Sequence, residues 1–197
     1  FTKAEKPSIG IKLLFVTGLI DHILPQSNLR HIDLASIDKL NKKAFPTFIG
    51  MMMRGYSSSA GKEVASKMRL SKIDSDAVQA VVTYMVKSPF LDKDDFKLVQ
   101  FMKGVSDKGI QSIDAYLDAK KRPTLSSKLK RMKVTSIRDL SVSGRDLMKL
   151  GIRGKQVGDA LQYALEFAVR SGRNNKSELM NAIHTTVNRR RTKLLTE

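Results

Sequence analysis

The chain has 197 residues, 41% hydrophobic and 28% charged, which is enough for one large domain or two small ones with a buried core. Its 36 Lys and Arg residues against 19 Asp and Glu residues give a net charge of +17, so we expect a polyanionic partner, nucleic acid rather than an acidic membrane surface. The absence of cysteine excludes disulfides, a thiol nucleophile and a cysteine-based zinc site. No apolar run suits a membrane span or a signal peptide. We therefore expect no membrane partner and a cytoplasmic or organellar-matrix location.

Helical periodicity recurs along the chain, whereas alternating strand patterns and Asn-Gly or Asp-Gly hairpin signals are lacking. Apolar spacing predicts a first helical region that ends before Pro25 and a second over residues 34–40. Three further helices are predicted to start near Asp74, Lys93 and Lys108. These patterns predict an all-α fold that begins with a multi-helix body.

The C-terminal part gives the clearest helix signals. Apolar residues from Val157 to Ala168 follow the i, i+4, i+8, i+11 spacing of one helix face, and Gly172 stands where a C-terminal glycine cap is expected. Asn175 and Glu178 then form an Asn-x-x-Glu capping pattern ahead of another apolar series. We therefore predict a smaller helical tail after the body.

A basic segment marks the boundary between these two parts. The stretch "AKKRPTLSSKLKRMK" contains a proline, a serine pair and seven Lys or Arg residues. Residues 1–117 carry 17 basic and 12 acidic side chains, whereas residues 118–197 carry 19 basic and 7 acidic ones. We predict a helical body domain over 1–118, a basic linker over 119–135 and a helical tail domain over 136–197.

The titratable residues give no indication of catalysis. Asp74 and Asp76 are spaced like metal-binding carboxylates, but no strand signal precedes them, and Asp at a helix start ordinarily stabilises the unpaired amides there. The three histidines, His22, His31 and His184, are too scattered for metal-ligand spacing. We predict no catalytic residue and no metal site in this chain.

Two basic groups are candidates for phosphate contacts. They are Lys120, Lys121, Arg122, Lys128, Lys130 and Arg131 in the linker, and Arg189, Arg190 and Arg191 near the C-terminus. A solvated connecting segment is the alternative for the first group, and interaction with the end of the last helix is the alternative for the second. Because aromatic content is only 6% and Trp is absent, contact with a duplex backbone fits better than stacking on single-stranded bases.

The third candidate is the stretch "DLMKLGIRGKQVGDALQYAL". A tight turn over residues 151–154 would point backbone amides outward, and the helix that follows would add the positive end of its dipole. The candidate contacts here are Arg145, Lys149, Arg153, Gly154, Lys155 and Gly158. The glycine order and the lack of a preceding strand exclude a dinucleotide fingerprint, and the turn resembles a helix–hairpin–helix. A helix–helix corner with close-packing glycines is the alternative.

The same region resembles a known family. "SVSGRDLMKLGIRGKQVGDALQYALEFAVRSGRNNKSELM" is similar to the tail of class II tRNA nucleotidyltransferases, the CCA-adding enzymes, and their bacterial poly(A) polymerase relatives. The matching positions are Ser143, Gly144, Asp146, Leu147, Leu150, Gly151, Ile152, Gly154, Gly158, Leu161, Asn175 and Leu179. Upstream, "KPSIGIKLLFVTGLIDHILPQ" resembles the start of the family's body domain, and "AGKEVASKMRLSKIDSDAVQAVV" resembles its later helices.

The resemblance implies an all-helical body and tail that hold the acceptor arm and elbow of tRNA through phosphates, as part of a transferase of tRNA processing. The family's catalytic head, which binds Mg and CTP or ATP, would lie on a missing N-terminal part or on a separate chain. The head's Gly-Ser loop with Asp-x-Asp and the neck's Glu-Asp-x-x-Arg run do not occur here, so no catalytic residue or cofactor is expected in this chain. The family's usual proline around Gly154 is also missing, and Arg153 and Lys155 flank that glycine instead. The alternative is a non-catalytic helical adaptor that binds nucleic acid or a protein partner.

Overall fold

The computed structural model describes residues 4–25, 27–40 and 44–194, with side chains as far as Thr186. Within these residues it contains twelve α-helices and no β-strand, which confirms the predicted all-α fold. The helices are α1 (Pro7–Val16), α2 (Ile20–Ile23), α3 (Leu34–Ile37), α4 (Phe45–Met52), α5 (Ala60–Lys67), α6 (Lys72–Leu91), α7 (Asp95–Met102), α8 (Asp107–Ala119), α9 (Leu125–Arg131), α10 (Gly144–Lys149), α11 (Lys155–Ser171) and α12 (Lys176–Leu194). None of the described helices is both long and apolar enough to span a bilayer.

The chain divides into two compact units. The first unit comprises the described residues up to Lys93 together with Phe101–Lys128, and the second comprises Asp94–Gln100 together with the described residues from Leu129 onward. The segment 94–100 therefore joins the second unit, although it lies within the predicted body. The predicted linker, 119–135, contributes to both units and includes α9.

Helix α6 forms the centre of the first unit, where α4, α5 and α8 pack against it. Gly50 allows the close approach of α4, because a Cβ at that position would lie 2.5 Å from Cγ1 of Val81. The buried hydroxyl of Thr47 donates a hydrogen bond of 2.8 Å to the carbonyl oxygen of Ser112, which ties α4 to α8. Close packing and this buried hydrogen bond together fix the helices around α6.

The core of the second unit is built on the apolar face of α11. The fully or nearly fully buried side chains of this core are Phe96, Val134, Val142, Leu147, Ile152, Ala160, Ala164, Leu165, Ala168, Leu179 and Ile183. Small residues on α11 allow its neighbours to approach closely, and larger residues from α10 and α12 fill the remaining space. This core positions both ends of α10 and the start of α11.

Asp33 links α3 to the end of α8 in the first unit. Its carboxylate accepts a 3.0 Å hydrogen bond from the backbone N–H of Ser36 at the start of α3 and forms an ion pair with Lys120. The hydrogen bond from Lys120, aided by the two from Ser36, lowers the pKa of Asp33 to about 2.

This depressed pKa predicts a defined loss of stability in acid. Because the folded pKa lies below the unfolded value of about 3.9, the contribution of Asp33 is complete above about pH 4 and is lost as the pH falls toward 2. Asp33→Asn keeps a capping side chain but not the charge. Urea unfolding should therefore show the variant to be less stable than the original chain at neutral pH, with the difference vanishing near pH 2. A difference that is the same at both pH values would contradict this role for the Asp33 charge.

Candidate nucleic-acid interface

The start of α10 is fixed by a reciprocal cap. The backbone N–H and the hydroxyl of Ser143 donate to Oδ2 of Asp146 at 2.9 and 2.7 Å, and the N–H of Asp146 donates back to Oγ of Ser143 at 3.4 Å. Nζ of Lys176, the first residue of α12, lies 2.6 Å from Oδ1 of Asp146. The hydrogen bonds from Lys176 and Ser143 hold the pKa of Asp146 well below its usual range. The negative charge of Asp146 is therefore balanced by Lys176, and Asp146 forms no ion pair with the neighbouring Arg145 or Lys149.

The end of α10 is anchored by a single buried side chain, Leu147, which is 0% exposed. Its carbonyl oxygen accepts hydrogen bonds from the N–H groups of Leu150 and Ile152 at 3.0 and 3.2 Å. Between them, Gly151 adopts a φ of +80°, a left-handed conformation that reverses the chain and that side chains disfavour. The turn thus returns Ile152 to the core, where it is 5% exposed.

The start of α11 lacks a side-chain cap. Its N-cap residue is Gly154, with φ of +58° and ψ of −135°, a backbone conformation open essentially to glycine alone. Glycine has no side-chain oxygen, so no side chain caps the positive end of this 17-residue helix. The N–H of Val157 donates to the carbonyl oxygen of Gly154 at 3.2 Å, whereas the N–H groups of Lys155 and Gln156 have no hydrogen-bond acceptor among the described residues. Lys155 and Gln156 are both exposed.

Four of the cations predicted as contacts surround this turn, namely Arg145, Lys149, Arg153 and Lys155. All four are exposed, and among the described side chains none has a carboxylate oxygen within 4.0 Å. The start of α10 lies against the first turn of α11, because a Cβ on Gly144 would be 3.3 Å from Cγ1 of Val157. Asp159, one turn into α11, is exposed and offsets only one of the four charges.

The glycines of the turn do not serve close packing. A Cβ added at Gly151, Gly154 or Gly158 would meet no described heavy atom within 4 Å. Positive φ angles explain the glycines at positions 151 and 154. Gly158 lies in a regular helix, so neither a positive φ nor close packing requires a glycine there. The alternative of a corner with close-packing glycines therefore fails for all three positions.

Several cations of the predicted linker form ion pairs with carboxylates of the first unit. Asp92 forms ion pairs with Arg122 and, at 3.0 Å, with Lys128, and it also accepts a 3.0 Å hydrogen bond from the hydroxyl of Tyr84. Partial burial raises the pKa of Asp92, but the hydrogen bonds from Lys128, Arg122 and Tyr84 outweigh it and hold that pKa below its ordinary value. Phosphate would have to compete with Asp92 for both cations, as it would with Asp33 for Lys120.

The predicted linker is more ordered than a solvated connecting segment. Lys121 adopts a left-handed φ of +55° that ends α8 without a glycine. The carboxylate of Asp114 then accepts hydrogen bonds from the N–H groups of Leu125 and Ser126, at 2.7 and 3.3 Å, at the start of α9. These contacts depend on a carboxylate eleven residues upstream, which composition does not reveal.

The remaining candidate residues lie on separate parts of the chain. Lys121 is exposed in the first unit, and Lys130 and Arg131 are exposed on the second-unit part of α9. The backbone at Arg189, Arg190 and Arg191 belongs to α12, but their side chains lie outside the described residues. Their role in binding phosphate stays a prediction. Lys176 was not predicted, because its pairing with Asp146 joins residues 30 positions apart.

Asp74 lies in the first turn of α6, as predicted, but the amide there is capped by Oγ of Ser71, and Asp76 lies beyond the first turn. Asp74 accepts a 2.7 Å hydrogen bond from the hydroxyl of the N-cap residue Ser71 and lies 2.6 Å from Nζ of Lys108. Asp76 lies 3.8 Å from Nζ of Lys62. Among the described residues, no three His, Asp or Glu side chains are grouped so as to hold a metal ion.

Comparison with known proteins gives no match: no protein-family model, no curated protein and no solved structure is similar to this chain. A function can therefore be argued only from the geometry and charge of the chain's own residues and from the sequence resemblance described above.

Proposed function

We propose that this chain binds tRNA through the sugar–phosphate backbone and forms the body and tail portion of a CCA-adding tRNA nucleotidyltransferase. In this proposal the acceptor arm and elbow of tRNA are the ligands, and a catalytic head elsewhere binds Mg with CTP or ATP. The chain itself positions the RNA and supplies no catalytic residue.

The observation that carries the proposal is the uncapped, glycine-initiated start of α11 with its unpaired cations. Backbone N–H groups at a helix start bind phosphate oxygens directly, and the helix dipole favours the negative charge. Arg153 and Lys155 flank the N-cap glycine, so they can add charge-assisted contacts to the same or neighbouring phosphates. The net charge of +17 supports a polyanionic ligand of this kind.

Gly158 provides a test that separates stability from binding. A glycine inside an exposed helix costs about 1 kcal/mol relative to alanine, and a Cβ at this position meets nothing within 4 Å. Gly158→Ala is therefore expected to raise the thermal midpoint of unfolding. The same methyl group would stand where an RNA backbone approaches the first turns of α11, so affinity for tRNA should fall.

The two effects of Gly158→Ala are measured by thermal unfolding and by fluorescence anisotropy with labelled tRNA. An increase in stability with unchanged tRNA affinity would show that RNA does not approach this part of α11. Thr185→Ala, which changes an exposed residue of α12, serves as a control and should leave tRNA affinity unchanged.

The proposal as a whole is tested by comparing ligands. Under identical salt, affinity for tRNA lacking its 3′ terminus should exceed affinity for duplex DNA. Equal affinity for both would favour the non-catalytic adaptor over a tRNA-specific body and tail. Labelled CTP and ATP should not be incorporated into this tRNA by the chain alone, and robust incorporation would contradict the assignment of catalysis to a separate head.

A further inference from the structure

Phe90 has an unusual position for an aromatic residue in this protein. It lies near the C-terminal end of α6 in the first unit and is 68% exposed. Among the described residues, every other aromatic side chain is buried or half-buried. Val86, four residues earlier and therefore on the same face of the helix, is also exposed, at 47%. Together they form a small apolar surface, called here the Phe90 surface.

The Phe90 surface has a positive border. Lys87 precedes Phe90 by three residues on the same helical face, and Lys93 follows it by three residues just beyond the helix. Both lysines are exposed, and neither has a carboxylate within 4.0 Å among the described side chains. Three acidic residues lie close to Lys93 in sequence: Asp92 pairs with Arg122 and Lys128, Asp94 pairs with Arg170 at 3.0 Å, and Asp95 is exposed.

Size and charge together favour one kind of occupant. A stable protein–protein interface buries about 800 Å² on each partner, far more than one aromatic and one valine side chain provide. An aromatic ring between two cations instead matches a nucleotide, whose flat base stacks on the ring while its phosphates meet the lysines. The ring stands on a helix surface, so it can reach only a base that is not stacked within a duplex.

We propose that Phe90 stacks on an unpaired base of the bound RNA, with Lys87 and Lys93 contacting the adjoining phosphates. This inference rests on the proposed RNA-binding function and adds a second, single-stranded contact to it. The low aromatic content predicted that the chain does not stack on single-stranded bases. The proposed contact modifies that expectation, because one exposed ring is enough to stack on one base.

The probes are a blunt RNA hairpin and the same hairpin with a short single-stranded adenosine tail. The original chain should bind the tailed hairpin more tightly than the blunt one. Phe90→Ala and Phe90→Leu should reduce affinity for the tailed hairpin by about tenfold and leave the blunt hairpin unaffected. Phe90→Tyr keeps the ring and should keep the advantage of the tail.

A fluorescent purine analogue in the tail gives an independent readout, because its emission changes when it leaves its stacked neighbours and packs against the ring of Phe90. This change should occur with the original chain and with Phe90→Tyr but not with Phe90→Leu. The control is Ile73→Ala, which removes another exposed apolar side chain at the opposite end of α6 and should change neither readout.

The outcomes distinguish this inference from the function on which it rests. If the tail gives no advantage, or if Phe90→Leu weakens both hairpins equally, the stacking contact is refuted while RNA binding stands. If the original chain binds neither tRNA nor either hairpin, the proposed function itself fails.

Discussion

Replacing both Arg153 and Lys155 with glutamate is expected to lower the affinity of this chain for tRNA by about ten- to a hundredfold at low salt. The two cations flank Gly154 at the uncapped start of α11, and neither is paired with a carboxylate among the described residues. The double variant loses two phosphate contacts and places two negative charges beside the exposed N–H groups. The slope of log K against log salt should become shallower by about two units. Preference among RNA sequences should not change, because phosphate contacts carry no sequence information.

The matched control is Lys62→Glu with Lys67→Glu, which changes the net charge by the same amount. Both lysines lie in α5 of the first unit and pair with Asp76 and Glu63, at 3.8 and 2.9 Å. This double variant should bind tRNA more tightly than the variant of the turn. Equal losses for the two would mean that overall charge, and not the turn, determines affinity.

Leu147→Ala is expected to destabilise the second unit by about 2–5 kcal/mol, the range for truncating a fully buried leucine. Leu147 is the buried residue of α10, and its carbonyl oxygen accepts the hydrogen bonds that close the turn. Loss of its side chain should therefore loosen the turn as well as the core. Urea unfolding measures the first effect, and hydrogen exchange at the N–H of Ile152 measures the second.

Leu150→Ala is the corresponding control, since Leu150 is 46% exposed and lies three residues along the same turn. Its effect on stability should stay within about 0.5 kcal/mol, as for most surface substitutions. If Leu147→Ala unfolds at the same urea concentration as Leu150→Ala, the core does not hold the turn in the way the structure indicates. Affinity for tRNA should fall with Leu147→Ala alone.

The helix ends of the second unit were predictable because their signals are local. Gly172 adopts a φ of +68° at the end of α11, which confirms the predicted glycine cap. The side chain of Asn175 accepts a 3.0 Å hydrogen bond from the N–H of Ser177 at the start of α12, as the capping pattern predicts. Glu178, the one carboxylate of that pattern, lies 3.8 Å from Nη1 of Arg173 and makes no return hydrogen bond to Asn175 among the described residues. Such contacts span a few residues and can be inferred from spacing alone.

Helices in the first unit were less predictable. The predicted first region is two helices, because Gly18 adopts a φ of +69° between α1 and α2. Apolar spacing gives no helical period for α4, because most of it, from Pro46 to Met52, is buried and no solvent-facing residues alternate with the apolar ones. The sequence also does not indicate that Phe96 belongs to the core of the second unit, because this depends on contacts with residues far along the chain.

The candidate site shows the same limit. The sequence identifies the cations but not their partners, and only the structure separates Arg122, which is paired with Asp92, from the unpaired Arg153. Phe90 fits the apolar composition of α6 and gives no local sign that it faces solvent. Pairing and exposure are tertiary properties, so a basic segment in a sequence is weaker support for phosphate binding than an unpaired cation in a structure.

The most direct test of the phosphate-binding account is the affinity of the full chain for tRNA over a series of salt concentrations. Contact with about six phosphates predicts that log K falls linearly with log salt, with a slope of about −4 to −5. An affinity that does not change with salt would contradict the account, because a ligand held through its phosphates must release counterions when it binds.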